Sequence, residues 1–288
     1  MKFLITGANG QLGREWVQFL ELNGDPLDAF GSAALDITDS DQVKARIEEC
    51  RPDVVINCAA YTNVDDAEDE QELAHSVNEK GVENLVTACL KYNCKLVHFS
   101  TDYVFPGNSE DENKFSKGYP EDAEKRPINA YGKSKRAGEI ILEKSPLDSL
   151  LIRVSWLCGP FGNNFVKTML RLAETRDELS VVEDQKGSPS FTFDVVEKSF
   201  ELLNAGKSGV YHISSSGKLS WADFAEEIFK QSNIEVALHR IPSSEFPTKA
   251  ERPAFSLLSN QKLEKEGLKV LAWKDGLSVL LKKLNRTL

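Results

Sequence analysis

No stretch of this 288-residue sequence approaches the ~20 consecutive apolar residues of a membrane span, and the opening run Phe3-Leu4-Ile5 stops at Thr6-Gly7, too early for a secretory signal. A soluble cytoplasmic protein with no membrane partner is the expectation. Cysteine pairs at motif spacing are also missing: Cys50, Cys58, Cys89, Cys94 and Cys158 include no C-x-x-C and no histidine at zinc distance. This argues against a disulfide framework and suits a reducing compartment. His75, His98, His212 and His239 stand singly, each reading as a packing or surface residue, so no metal is expected. A basic excess is absent as well, since 35 Lys and Arg face 45 Asp and Glu for a net charge of -10. Such a chain repels a phosphate backbone, and nucleic acid is not an expected partner. Internal repeats, low-complexity tracts and a Pro/Gly/Ser linker are lacking too, which leaves one large or two closely joined globular units.

Short apolar runs alternate instead with helical patterns: Phe3 to Thr6 then Gln11 to Leu22, Asp53 to Asn57 then Glu70 to Tyr92, Lys95 to Ser100 then Asn129 to Glu143, and Ser149 to Ser155. Val54-Val55-Ile56 and Leu96-Val97-His98-Phe99 are apolar on both faces, as strands between two helical layers must be. The expected fold is α/β, a Rossmann-like doubly wound parallel sheet with a smaller C-terminal substrate-binding lobe. The first unit spans about 1–156 and binds the dinucleotide; 157–288 is mainly the substrate lobe, with some segments returning to the main sheet. That lobe carries helical patterns from Thr192 to Leu203, Trp221 to Gln231 and Trp273 to Leu284, and a short strand near Val210 to Ile213. Pro106 to Pro127 reads as a long surface loop. The acidic run Asp65, Asp66, Glu68, Asp69, Glu70 and Glu72 reads as a solvated helix start with no chemistry.

Two local patterns carry function. Gly7-Ala8-Asn9-Gly10-Gln11-Leu12-Gly13 follows the first strand and opens a helix, the context in which bare backbone and free N–H groups receive a pyrophosphate. The second strand, Pro26 to Phe30, ends in Gly31-Ser32 without a carboxylate to bond a ribose 2′-hydroxyl. NADPH is therefore expected to serve at least as well as NADH, with Asp36 and Ile37 near the adenine. In Asn129 to Glu139, Tyr131 and Lys135 are four residues apart on one helix, roughly 40° around its axis. An ammonium there is expected to lower the phenol pKa towards neutrality and make a general acid. Thr101, at the end of the strand His98 to Ser100, is placed to bond the same reacting oxygen.

With these residues in place, the chain resembles the extended short-chain dehydrogenase/reductases and, within them, the dTDP-4-dehydrorhamnose reductase family. The likeness runs through Gly7 to Glu15, Asn57 to Asp65, Ser100 to Phe105, Tyr131 to Glu139, Arg153 to Trp156, Gly162 to Phe165, Asp184 to Gly187 and Arg252-Pro253. It implies reduction of the C4 ketone of a dTDP-4-keto-6-deoxy sugar by NAD(P)H, with Thr101, Tyr131 and Lys135 as the catalytic set. It also implies a cofactor near Gly10, Gln11, Leu12, Asp36, Ile37, Ala60, Tyr61, Thr62 and Phe99, and a sugar nucleotide touching Thr101, Asp102 and Trp156. Arg252 is expected to meet the diphosphate as a fork donor.

Departures from the family pattern bear on two expectations. Trp156-Leu157-Cys158-Gly159 has Cys158 where a tyrosine is usual, so a tyrosine contact is expected to be lost from the site. Some members bridge subunits through magnesium held by glutamates. Glu15 is retained, but Phe193 stands where a second carboxylate is sought, so a monomer or weak homodimer without metal is expected. Two rival readings remain: a nucleotide-sugar dehydratase or epimerase on the same scaffold, and a regulatory subunit resembling that of methionine adenosyltransferase.

Overall fold

The computed structural model describes residues 1–285. The first half alternates strand and helix: β1 (Phe3–Thr6), α1 (Gln11–Asn23), β2 (Leu27–Phe30), α2 (Ser40–Cys50), β3 (Val54–Asn57), α3 (Gln71–His75), α4 (Gly81–Tyr92), β4 (Lys95–Thr101), α5 (Asp111–Lys114), α6 (Ala130–Lys144) and β5 (Ser149–Val154). A single wide turn, Ser76–Lys80, joins α3 to α4 in one continuous rod. The second half contributes β6 (Leu157–Cys158), α7 (Phe165–Ala173), β7 (Glu178–Val182), β8 (Lys186–Gly187), β9 (Ser190–Phe191), α8 (Thr192–Asn204), β10 (Gly209–His212), β11 (Leu219–Ser220), α9 (Trp221–Ser232), β12 (Ala237–Ile241), α10 (Gln261–Lys265) and α11 (Trp273–Asn285). Residues 286–288, the end of the expected second lobe, lie outside the described residues.

Strands β2-β1-β3-β4-β5-β10 form one six-stranded parallel sheet, the expected doubly wound architecture. Side chains alternate between its faces. Phe3, Ile5, Ile56, Val97 and Ile152 pack on Trp16 and Leu20 of α1 and Val195 and Leu202 of α8. Leu4, Val55, Leu96 and Leu151 pack on Val43 and Ile47 of α2, Val82 and Leu85 of α4, and Leu142 of α6. Each such fully buried aliphatic residue contributes about 1.5–3 kcal/mol of transfer free energy, so the sheet is a firm base for whatever sits at its carboxyl edge. That edge has its switch point at β1, whose neighbours β2 and β3 are reached in opposite directions.

β10, near Val210 to Ile213, returns to the main sheet, where it pairs with β5 from Gly209↔Leu150 to His212↔Arg153 and becomes the edge. One expectation changes. Pro106 to Pro127 is more than a surface loop. Tyr119 in it is 1% exposed, stacks on Phe105 at 4.5 Å and packs with Phe255, Leu257 and Leu258. Its apolar members seal a small core between the two halves of the chain. The remaining core of the smaller lobe joins Leu179, Val181, Phe191, Phe224, Ile228, Leu277 and Leu280.

Candidate active site

A cavity of about 640 Å³ opens at the carboxyl ends of β1, β3, β4 and β5. Gly10, Gln11 and Leu12 form one wall, where β1 turns into α1. Gly7 makes that turn in the left-handed region, φ 63°, with the Ala59 backbone so near that a Cβ would meet its nitrogen at 2.5 Å. Gly10 starts α1 and has no side-chain cap, which leaves the first N–H groups of a 13-residue helix to an anion. Gln11 spans to the smaller lobe, donating to the Leu157 carbonyl at 3.1 Å and accepting from Asn164 at 2.7 Å.

The opposite wall is built on α6. Asn129 caps this helix through the Gly132 N–H at 2.8 Å, and Glu68 accepts the Ala130 N–H at 2.8 Å. Gly138 lets α6 approach the rod so closely that a Cβ would meet the Asn78 carbonyl at 2.2 Å. One turn beyond Lys135, the buried Glu139 receives both arms of Arg153 from β5, at 2.8 and 2.9 Å, fastening the helix to the sheet. Tyr131 and Lys135 thereby both line the cavity, facing Thr101 and Asp102.

Their protonation differs from the expectation. Lys135 Nζ donates to the Phe99 carbonyl at 2.7 Å, and burial brings its pKa down to about 8. Burial moves the Tyr131 phenol up from its ordinary value, against a lowering influence from the Thr101 hydroxyl. Desolvation disfavours the phenolate, and the Lys135 ammonium is engaged with the Phe99 carbonyl, so burial and not the lysine sets the direction of the shift. Thr101 Oγ1 donates to Asp102 Oδ1 at 2.9 Å. Asp102 is 3% exposed, its Oδ2 makes no hydrogen bond, and burial raises its pKa to about 7. Ser100 Oγ is buried without a partner too. Orphaned polar atoms on a cavity wall are atoms waiting for a ligand's hydroxyls.

A family model described as the RmlD substrate binding domain matches residues 1–286. The chain belongs to that family. It is 39% identical to a dTDP-4-dehydrorhamnose reductase of Aggregatibacter actinomycetemcomitans, over 96% of this chain and 97% of the relative. Identity is 40% to the spore coat polysaccharide biosynthesis protein SpsK of Bacillus subtilis (strain 168), over 96% and 95% respectively. Among solved structures, a dTDP-4-dehydrorhamnose reductase from Bacillus anthracis str. Ames in complex with NADP superposes with a TM-score of 0.93 and 40% identity, covering 98% of this chain and 99% of that one. The kinship expected from the motifs is borne out.

The residues expected from that kinship divide between the cavity wall and its surroundings. Gly10, Gln11, Leu12, Ala60, Thr62, Phe99, Thr101, Asp102, Tyr131, Lys135 and Trp156 all line the cavity; Gly7 lies beneath it. Asp36 is outside, its carboxylate accepting the Thr38 N–H at 2.9 Å and hydroxyl at 2.8 Å, and Ile37 is buried against Gly81. Tyr61, like Tyr131, packs against Ala67, Ala74 and Ala130, and it sends its hydroxyl to Glu70 at 2.7 Å. Arg252 is not a free fork: Asp65 takes both arms, at 3.1 and 2.8 Å, and also the Ala250 N–H at 3.0 Å. Although burial opposes it, these donors keep the Asp65 carboxyl below its usual range. The acidic run is therefore not mere solvated surface: Asp65 holds Arg252, Glu68 holds the start of α6, and Glu70 holds the Tyr61 hydroxyl. Cys158 is 1% exposed within the smaller lobe's core, so its replacement of tyrosine alters packing and not the cavity wall. Glu15 is buried and accepts the Thr192 hydroxyl at 2.6 Å. Among the described residues, no three His, Cys, Asp or Glu side chains stand together as a metal cluster, and no helix is long and apolar enough to cross a membrane.

Asn57, Asn63, Val64, Ser100, Tyr103, Leu157, Gly162 and Asn163 also line the cavity without having been singled out from sequence. Their signal was present, because most fall inside the runs that carry the family likeness; motif membership alone did not say which side chains faced inward.

Proposed function

We propose that this protein reduces the C4 ketone of a dTDP-4-keto-6-deoxy sugar, dTDP-4-dehydrorhamnose to dTDP-rhamnose, with NADPH preferred and NADH as the alternative donor. One observation carries the reading: Thr101, Tyr131 and Lys135 meet in a single cavity with an uncapped, glycine-walled helix terminus. The NADP-bound relative and the names of the related reductases support it.

Bound nicotinamide supplies the hydride. Gly7, Gly10, Gln11 and Leu12 hold the pyrophosphate at the start of α1, and Ala60, Thr62 and Phe99 line the way to the reacting end. As charge grows on the ketone oxygen, Tyr131 gives it a proton, and the raised phenol pKa keeps that proton in place until then. Thr101 orients the oxygen, and the Lys135 ammonium balances the phenolate left behind. Asp102 and Trp156 hold the sugar, the first through its unpartnered oxygen and the second through the part of its indole that lines the cavity. In this reading residues 1–156 mainly serve the cofactor and 157–288 the sugar nucleotide, in a cytoplasmic monomer or weak homodimer needing neither nucleic acid nor membrane.

The test mixes purified protein with NADPH and dTDP-4-dehydrorhamnose and follows absorbance loss at the nicotinamide band. Tyr131→Phe should lower turnover about 100-fold or more, the scale of a general acid, with cofactor affinity nearly unchanged. Parent-like turnover in that variant would overturn the assignment.

A further inference from the structure

At the other edge of the sheet, α4 ends in a way that brings two thiols together. Asn93 takes a left-handed conformation, φ 56°, and the Cys94 N–H reaches back to the Cys89 carbonyl at 3.1 Å. This six-to-one closure places the side chain just past a helix against the one a turn and a half before it. Both positions here are cysteine. Cys94 Sγ lies 3.9 Å from the Cys89 carbonyl oxygen, and both side chains are buried in the same apolar core beneath the sheet. They share the wall of a cavity of about 420 Å³ with Asp53, Asn93, Lys95 and Asp148, which belong to the amino-terminal ends of β3, β4 and β5. The catalytic cavity is at the opposite end of those strands.

We infer that Cys89 and Cys94 form a dithiol site that hydrogen peroxide converts to an internal disulfide. Cys94, 3% exposed where Cys89 is fully buried, is the sulfur that solvent reaches first and so the attacking one. Its thiolate attacks the peroxide, an S–O bond forms as O–O breaks, and the departing hydroxide takes a proton to leave as water. The Cys89 sulfur then attacks Cys94 Sγ, the S–O bond breaks, and the Cys89 proton leaves with the hydroxyl as a second water. Two thiols and one peroxide give one disulfide and two waters. Burial raises the pKa of Cys50, Cys58 and Cys158.

Mass mapping after exposure to equimolar hydrogen peroxide tests this without any assay of turnover, so it stands or falls apart from the reductase reading. Lys91 lies between the two cysteines, and trypsin cutting there leaves the peptides on either side joined only if the disulfide has formed. The expected result is that joined pair, with the other three cysteines still open to alkylation. In Cys89→Ser the Cys94 sulfenic acid should persist and be captured by a 1,3-diketone. Unjoined peptides with Cys94 taken on to sulfinic acid, or earlier oxidation of Cys50, Cys58 or Cys158, would overturn the inference.

Discussion

Trp156 stacks on Trp221 with ring centroids 3.6 Å apart and an interplanar angle of 15°. The Trp156 backbone is in the left-handed region, φ 47°, a conformation costing on the order of 1–3 kcal/mol for a bulky residue. Its indole also lies over Gly187, where a Cβ would meet the ring at 2.8 Å. Trp221 opens α9 behind a reciprocal cap between Ser220 and Asp223, so the platform under Trp156 is itself fixed.

Removing that platform should loosen the wall that faces the sugar. Trp221→Ala is expected to raise KM for the sugar nucleotide by up to about 10-fold, the upper scale of one aromatic pair, with cofactor affinity unchanged. Trp221→Phe should restore most of the loss. Steady-state kinetics with an unaltered KM in the alanine variant would separate the stack from substrate binding.

Asp102 makes stability depend on pH. Its folded pKa of about 7 lies above the unfolded value, so the folded state holds the proton more tightly. That contribution is complete below about pH 4 and is lost as pH rises through 7. Urea unfolding should show the parent losing on the order of a few kcal/mol from this source between those limits. In Asp102→Asn the component should vanish, and an identical pH slope in the two proteins would refute it.

Cofactor choice should respond at the tip of β2. Ser32 is exposed there, beside Gly31 and the Asn9 side chain that closes over it. Ser32→Asp adds a carboxylate able to bond a 2′-hydroxyl and repel a 2′-phosphate. The ratio of kcat/KM for NADPH to NADH is expected to fall about 10-fold, equivalent to ~1.4 kcal/mol. An unchanged ratio would mean that another part of the chain reads the ribose.

Reduction and dehydration part company at Tyr103. Loss of water from a hexose needs a carboxylate pair to carry protons, and after Thr101 this chain has Asp102 and then a half-buried tyrosine set edge-on to Tyr131 at 5.6 Å. Burial moves the Tyr103 phenol further up, away from use as a base at neutral pH. One NADPH should be consumed per ketone reduced, and a dTDP-hexose with its 6-hydroxyl should give no 4-keto-6-deoxy product. Catalytic formation of that product without net NADPH loss would favour the dehydratase alternative.

The sequence by itself determined what one turn or one helix can hold. The glycines from Gly7 to Gly13 belong to a single strand-to-helix turn, Tyr131 and Lys135 to one helical face, and the two-sided apolar strands to one parallel sheet, so short spacings sufficed. Only the tertiary structure decided the rest, because the partners are far apart in the chain or the effect depends on exclusion of water. Arg252 had no sequence signal for Asp65, nor Trp156 for Trp221, and Tyr119 became core only when Phe105 and Phe255 closed around it. The phenol of Tyr131 was read as acidified by its lysine neighbour. Burial, which no spacing encodes, instead turned Lys135 towards a carbonyl of β4 and kept the tyrosine protonated.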